Sequence, residues 1–395
     1  MKKKVIDTVV GFLNKPFFSD YRTLFGLYML LPIVAALLKT HKHNNYLIFK
    51  YTFWHTIDQT PLYASYPEYN DVNHYGPFFS LVIAPFALLP TWIGLLFWLI
   101  TLSLVLYYAM RKLPLEKRKQ VFMYWFCAHE LLTALFMSQF NIAIVAIILA
   151  TFYCIQKEKD VWAALFIMIG TFVKLYGIVG LAFFFFSKHK PRLIIALLLW
   201  AVVMFVAPML LSNPDYIISQ YGEWLGDLTG KNADNMFASH QNISFLGMVR
   251  KISGCASYSD LWLIVSGIVL FVLPYSRINQ YKHVAFRYMI LASTLLFVVL
   301  FSTGSESSSY IIAFVGVAIW YVAVPWKRSK WDVALMIFAF ILTSMSPSDL
   351  FPAFIRKEWV QPYALKALPC MLIWLKLTYE LCFKSYELKQ EPICV

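Results

Sequence analysis

Residues 40–76 of this 395-residue chain crowd ionisable and amide side chains between two apolar stretches: His43, Asn44, Asn45, Lys50, His55, Asp58, Glu68, Asp71, Asn73 and His74, then Tyr75-Gly76-Pro77. Carboxylates and imidazoles held at a membrane surface can take the proton of an attacking hydroxyl or ligate a phosphate. A solvated loop is the plain alternative. Ser138-Gln139-Phe140-Asn141 sits between two apolar runs without a charge, so its amides either cap a helical turn or bind sugar hydroxyls. Lys174 lies in the apolar stretch Phe172-Val173-Lys174-Leu175-Tyr176, where an ammonium is costly unless it faces a cavity or an anion, or snorkels to an interface. Further on, Ser239-His240-Gln241-Asn242-Ile243-Ser244 leads to Arg250, a residue type that clamps phosphate with two parallel hydrogen bonds. Glu306 is the one carboxylate in the turn 304–309, which reads equally well as a simple hydrophilic turn.

The elements that position these residues are membrane helices. Hydrophobic residues make up 60% of the chain and charged residues only 14%, against about 25% charged in soluble domains. Apolar runs recur along the chain with lengths near the roughly 20 residues that cross a bilayer. Spans are expected at 23–39, 91–110, 120–137, 141–156, 161–173, 174–187, 192–212, 261–276, 285–303, 310–325, 332–346 and 363–383. The run 77–90, broken by Pro85, is too short to cross comfortably and reads as re-entrant; a full crossing would raise the count from 12 to 13. In 40–76, apolar residues from Leu47 to Ile57 recur at helical spacing, which predicts a helix lying in the interface plane.

Lys and Arg outnumber Asp and Glu by 34 to 21, and 22 of the 34 fall in alternate loops. That bias places both termini in the cytoplasm and the loops 40–76 and 213–259 outside. The scheme is a cytoplasmic amphipathic segment at 1–22, one membrane domain over 23–383 whose first span targets the chain, and a cytoplasmic tail at 384–395. The basic residues form no groove interleaved with stacking aromatics, so nucleic acid is not an expected partner. Six cysteines occur without CxxC or HExxH spacing, and only Cys255 falls in an outer loop, so neither a zinc site nor a disulfide framework is expected.

In order and content these stretches resemble glycosyltransferase family 87, multi-spanning enzymes of the C-type fold. The resemblance rests on Tyr75-Gly76-Pro77, Pro85-Phe86-Ala87-Leu88-Leu89-Pro90, Ser138-Gln139-Phe140-Asn141, Lys174, Asn242-Ile243-Ser244 and Arg250, and covers about residues 20–325. It implies an inverting transfer of a mannose-like hexose or a pentose from a polyprenyl-phosphate donor to a lipid or glycan acceptor on the non-cytoplasmic face. A monophosphate leaving group implies no metal cofactor. Apart from the resemblance, the lack of outer-loop disulfides and retention signals points to a bacterial inner membrane. An outer-loop carboxylate would be the base, Lys174 and Arg250 would hold the phosphate, and Asn45, His74, Tyr75, Gln139, Asn141, His240, Gln241, Asn242 and Glu306 would bind substrate. The chain departs from the family where an Asp is expected: it has Asn44-Asn45-Tyr46, and an amide is no base. Asp71 is then the leading candidate, with Asp58 and Glu68 as alternatives, or transferase activity is lost. Intramembrane charge and short helices also suit a transporter or flippase of lipid-linked sugars, but the polar residues concentrate at one surface, which favours chemistry there.

Overall fold

A computed structural model describes residues 15–39, 43–234, 237–238 and 240–387, and these form helices and connecting loops with no strand among them. Most of the expected N-terminal segment, Lys2 to Lys4 included, and most of the expected tail lie outside the described residues. The α-helices of nine or more residues are α1 (Tyr21–Leu38), α2 (Asn44–Ile57), α3 (Phe79–Ala87), α4 (Thr91–Lys112), α5 (Lys117–Phe136), α6 (Asn141–Gln156), α7 (Asp160–Lys174), α8 (Lys190–Val206), α9 (Pro214–Asp234), α10 (Phe245–Ser253), α11 (Leu261–Val272), α12 (Val284–Leu300), α13 (Tyr310–Val322), α14 (Lys330–Phe338) and α15 (Ala367–Phe383). A 3-10 segment, Tyr176–Phe186, follows α7, and α14 runs on as a π-helix over Ala339–Met345.

Among the described residues, three helical stretches are long and apolar enough to cross a membrane: Tyr21–Leu38, Thr91–Lys112 and Lys190–Leu210. The other apolar helices are shorter, among them α6, α11 and α12. Helices that are apolar all round belong inside a bundle, and α6, α12 and α13 are buried along nearly their whole length. In contrast, α8 exposes Ile195, Leu198 and Val202, and α11 exposes Trp262 and Val269, a surface fit for hydrocarbon rather than water.

α3 has nine residues and reaches about 14 Å, less than half of the roughly 30 Å hydrocarbon thickness, so it cannot cross by itself. It packs under α2, the helix expected in the first outer loop. Tyr46 donates its hydroxyl to the Phe86 carbonyl and Lys50 donates to Leu89 O and Thr91 Oγ1, which ties α2 to both ends of the α3–α4 turn.

α7 and the 3-10 segment form a hairpin that turns at Leu175, which takes a left-handed φ of 54°. The residues buried from the 3-10 limb are Gly177, Gly180, Phe183 and Phe186, one every three positions, as three residues per turn requires. A Cβ on Gly177 would lie 2.4 Å from the Gly170 carbonyl carbon, so the two limbs touch backbone to backbone.

The stretch 213–259, expected as an outer loop, contains the 21-residue helix α9, which starts on Pro214 at its first position and buries Ile217, Tyr221 and Trp224.

Candidate active site

Two adjoining cavities open at the end of the bundle where α6 begins. The smaller, of about 270 Å³, is lined by Asn45, Asp71, His74, Tyr75, Gln139, Lys174, Tyr176 and Glu306, among others. The larger, of about 660 Å³, shares Asn45, Asp71, Gln139 and Glu306 and extends past His240, Gln241, Arg356 and Lys366. Seven residues singled out from sequence thus border the smaller cavity, and two more border the larger.

Asp71 reaches this position through a local clamp. Asn44 donates from Nδ2 to Asn70 O at 2.6 Å, and its Oδ1 accepts the Asn70 N–H at 2.7 Å. The next residue, Asp71, adopts a left-handed φ of 77°, a conformation that Asp tolerates better than most side chains, and its carboxylate is exposed. Asn45 donates to Met137 O and borders both cavities beside it. Asn44 therefore holds the segment that carries Asp71.

His74 stands between two acids. Its Nδ1 lies 2.8 Å from Asp227 Oδ2 and its Nε2 lies 3.7 Å from Asp71 Oδ1. An ionised Asp227 can only accept, so Nδ1 carries a proton and donates it in a hydrogen bond to Asp227 Oδ2, while Nε2 faces Asp71. Asp227 belongs to α9, as does Trp224, whose Nε1–H donates to His74 O. α9 further anchors the first outer loop through Gln220, which accepts the Leu62 N–H, and Tyr216, which donates to Thr60 O. Sequence reasoning missed Asp227 because it missed α9. The signal was present in the apolar stripe Ile217, Tyr221, Trp224 and Leu228, at helical spacing.

Tyr75 and Lys174 are brought together by backbone. The Gly76 N–H donates to Val173 O at 3.1 Å. A Cβ on Gly76 would stand 2.2 Å from Phe172 O, so only glycine allows this approach. Lys174 then projects past the rings of Tyr75 and Tyr176, 5.6 and 5.1 Å from their centroids, and donates to Asn141 Oδ1 at 2.7 Å. Asn141 donates to Gln139 Oε1, and Gln139 donates to Glu306 Oε2 at 2.6 Å. One chain of hydrogen bonds thus joins the Lys174 ammonium to the Glu306 carboxylate. Asn141 is fully buried, so it orients Lys174 and Gln139 rather than bordering the space.

The 305–309 turn is fixed from behind by a pair that the sequence reading did not single out. Lys366 donates to Glu130 Oε1 at 2.8 Å and to the carbonyl and hydroxyl of Ser307. Both charges sit within apolar surroundings, where an ionisable residue is a reason to look for its partner.

Other sequence candidates lie elsewhere. Arg250 does not border either cavity: it is 2% exposed, and its guanidinium donates to Cys255 O, Ala256 O, Tyr258 O and Asp260 Oδ1. It closes the loop after α10 and has no geometry for a phosphate. Asn242 is also buried outside the cavities; it accepts the Ser244 hydroxyl, while the adjacent Ile243 N–H donates to Ser305 O. Asp58 and Glu68 are exposed and border neither cavity. His240 and Gln241 belong to a segment pinned by Lys251, which donates to Ala238 O and Gln241 O and whose ammonium is pushed down to about 8 by burial. Among the described residues no three His, Cys, Asp or Glu side chains converge as metal ligands.

These features define a helical membrane protein in which carboxylates and a cation border one cavity. The family model of glycosyltransferase family 87 matches residues 73–303, more than half of the chain, and the chain belongs to that family. It is a membrane glycosyltransferase by membership. The match takes in His74, Gln139, Lys174 and Asp227 and leaves Asn45, Asp71 and Glu306 outside it. No curated protein matches the chain.

Proposed function

We propose that the protein transfers a mannose-like hexose or a pentose from polyprenyl phosphate to a hydroxyl of a lipid or glycan acceptor, with inversion, at the non-cytoplasmic face. The reading includes twelve crossings with α3 re-entrant, α2 in the interface plane, cytoplasmic termini, and a bacterial inner membrane as the setting. The observation that carries it is the placement of Asp71 and Lys174 on one cavity, joined by His74, Tyr75 and Gln139. Asp71 takes the acceptor proton, the hydroxyl oxygen attacks the anomeric carbon from the face opposite the phosphate, and the carbon–phosphate oxygen bond breaks. Lys174 meets the charge that develops on the departing phosphate. His74, backed by Asp227, keeps Asp71 oriented, and Gln139 and Glu306 hold sugar hydroxyls. The larger cavity past His240 and Gln241 gives the acceptor its approach. No divalent metal enters this scheme.

Asn45 in the family's acid position favours a second reading, a catalytically silent member. Purified protein incubated with radiolabelled polyprenyl-phosphate sugars and a membrane-lipid extract separates the two. A labelled lipid or glycan product is expected, and Asp71→Asn lowers its formation by about 10³-fold at unchanged protein level, within the range of a lost general base. Absence of product with every donor would leave the silent reading standing. A cysteine placed beside Gln139 is expected to react with an impermeant thiol reagent from outside; labelling from the cytoplasm alone overturns the sidedness.

A further inference from the structure

At the end of α6 remote from Gln139 and Asn141, two other cavities meet. One, of about 680 Å³, is a mostly apolar groove beside α6 that passes Ala143, Ala146 and Ala150, with the Trp98–Phe140 stack at one end and Lys112 and Lys159 at the other. The 16 residues of α6 reach about 24 Å, so this groove has room for a lipid chain lying along the bundle. The other, of about 370 Å³, shares Lys159 and Trp162 with the groove and adds Glu158, Arg192 and Trp200.

The charges at this junction are unequal. Glu158 is already engaged, 2.6 Å from Lys188 Nζ and 3.7 Å from His189 Nε2. Asp160 is buried and accepts the Ser187 hydroxyl. Lys159 and Arg192 are exposed, and neither side chain makes a hydrogen bond or ion pair among the described residues. Trp162, 57% exposed, and the half-buried Trp200 flank them, as tryptophans do at headgroup depth. A basic pocket with an apolar groove leading away from it has the shape and polarity of an anionic phospholipid, and basic pockets between helices on the cytoplasmic side recognise such headgroups.

We propose that this pair of cavities is a binding site for one anionic phospholipid, its phosphate between Lys159 and Arg192 and an acyl chain along Ala143, Ala146 and Ala150. The site is separate from the donor and acceptor cavities and its occupant undergoes no chemistry. Charge complementarity favours the anionic phospholipid: a zwitterionic lipid would bring its own cation up against Lys159 and Arg192. The inward end of the groove touches Phe140, whose N–H donates to Tyr75 Oη, so a bound chain supports the wall behind Tyr75.

The test is lipid retention by the full-length protein after exchange into vesicles of equimolar phosphatidylglycerol and phosphatidylcholine, read by native mass spectrometry and independent of transfer. One retained phosphatidylglycerol is expected. Lys159→Gln with Arg192→Gln lowers that retention by roughly 25-fold, toward the level of phosphatidylcholine, given about fivefold per basic residue. Val105→Trp, at a position 38% exposed on the groove, removes both lipids while the cations remain. Equal retention of the two lipids, an unchanged phosphatidylglycerol signal in the double variant, or displacement by equimolar polyprenyl phosphate overturns the proposal.

Discussion

Lys174 and Arg250 look alike in the sequence, each a cation close to amides and hydroxyls at the edge of an apolar run, yet the fold gives them opposite surroundings. Arg250 is sealed in, with three backbone carbonyls and Asp260 around its guanidinium. Lys174 stands at the border of the smaller cavity, held by one amide oxygen and two tyrosine faces. A cation packed beneath carbonyls and a carboxylate closes a loop; one that borders a cavity can meet an anion. The residue type does not distinguish these fates, and the partners do.

Substitutions at three positions break or sharpen that contrast. Lys174→Gln is expected to cost about 10²-fold to 10³-fold in turnover, the scale of losing one group aimed at developing charge, with little change in melting temperature and partial recovery in Lys174→Arg. A drop in stability without a kinetic defect would make Lys174 a structural residue like Arg250. Arg250→Gln is expected to lower stability by about 3 kcal/mol, because it strands a carboxylate and several carbonyls, while the folded fraction keeps its turnover per molecule. Lost turnover in fully folded Arg250→Gln would return that residue to the site. Asp227→Asn has the smallest expected effect, about tenfold in turnover with an altered pH profile, since it acts only through the His74 ring. An unchanged profile would remove His74 from the proton path.

Much of the helical framework was legible in sequence because apolar runs declare themselves: α6 begins and ends where its run does, at Asn141 and Gln156, and α12 and α13 differ from the expected 285–303 and 310–325 by a few residues. The hydrocarbon environment forces whole segments to be apolar, so their edges are sharp. The helix α9 escaped because it carries polar residues on most of its surface and shows only a narrow stripe, which a reading tuned to continuous apolar runs passes over. Asp227 went with it. Residues around the cavity were found where they interrupted apolar sequence, as Gln139 and Lys174 do. Glu130 and Lys366 interrupt it too, but they are 236 positions apart, and only packing reveals them as a pair. Which of Asp58, Glu68 and Asp71 faces the cavity depended on the Asn44–Asn70 clamp, a contact with no signature in either segment alone.

The return limb after Leu175 acts as a ruler. Eleven residues in 3-10 form, at about 2.0 Å each, extend roughly 22 Å, the same as the fifteen residues of α7 at about 1.5 Å each. The two limbs are therefore equal in length although unequal in residue number, and Ser187 arrives level with Asp160, to which it donates at 2.6 Å. Rewound as an α-helix the same eleven residues would fall about 5 Å short. Either that far latch would open, or the near end would be dragged inward and Lys174 drawn away from Tyr75.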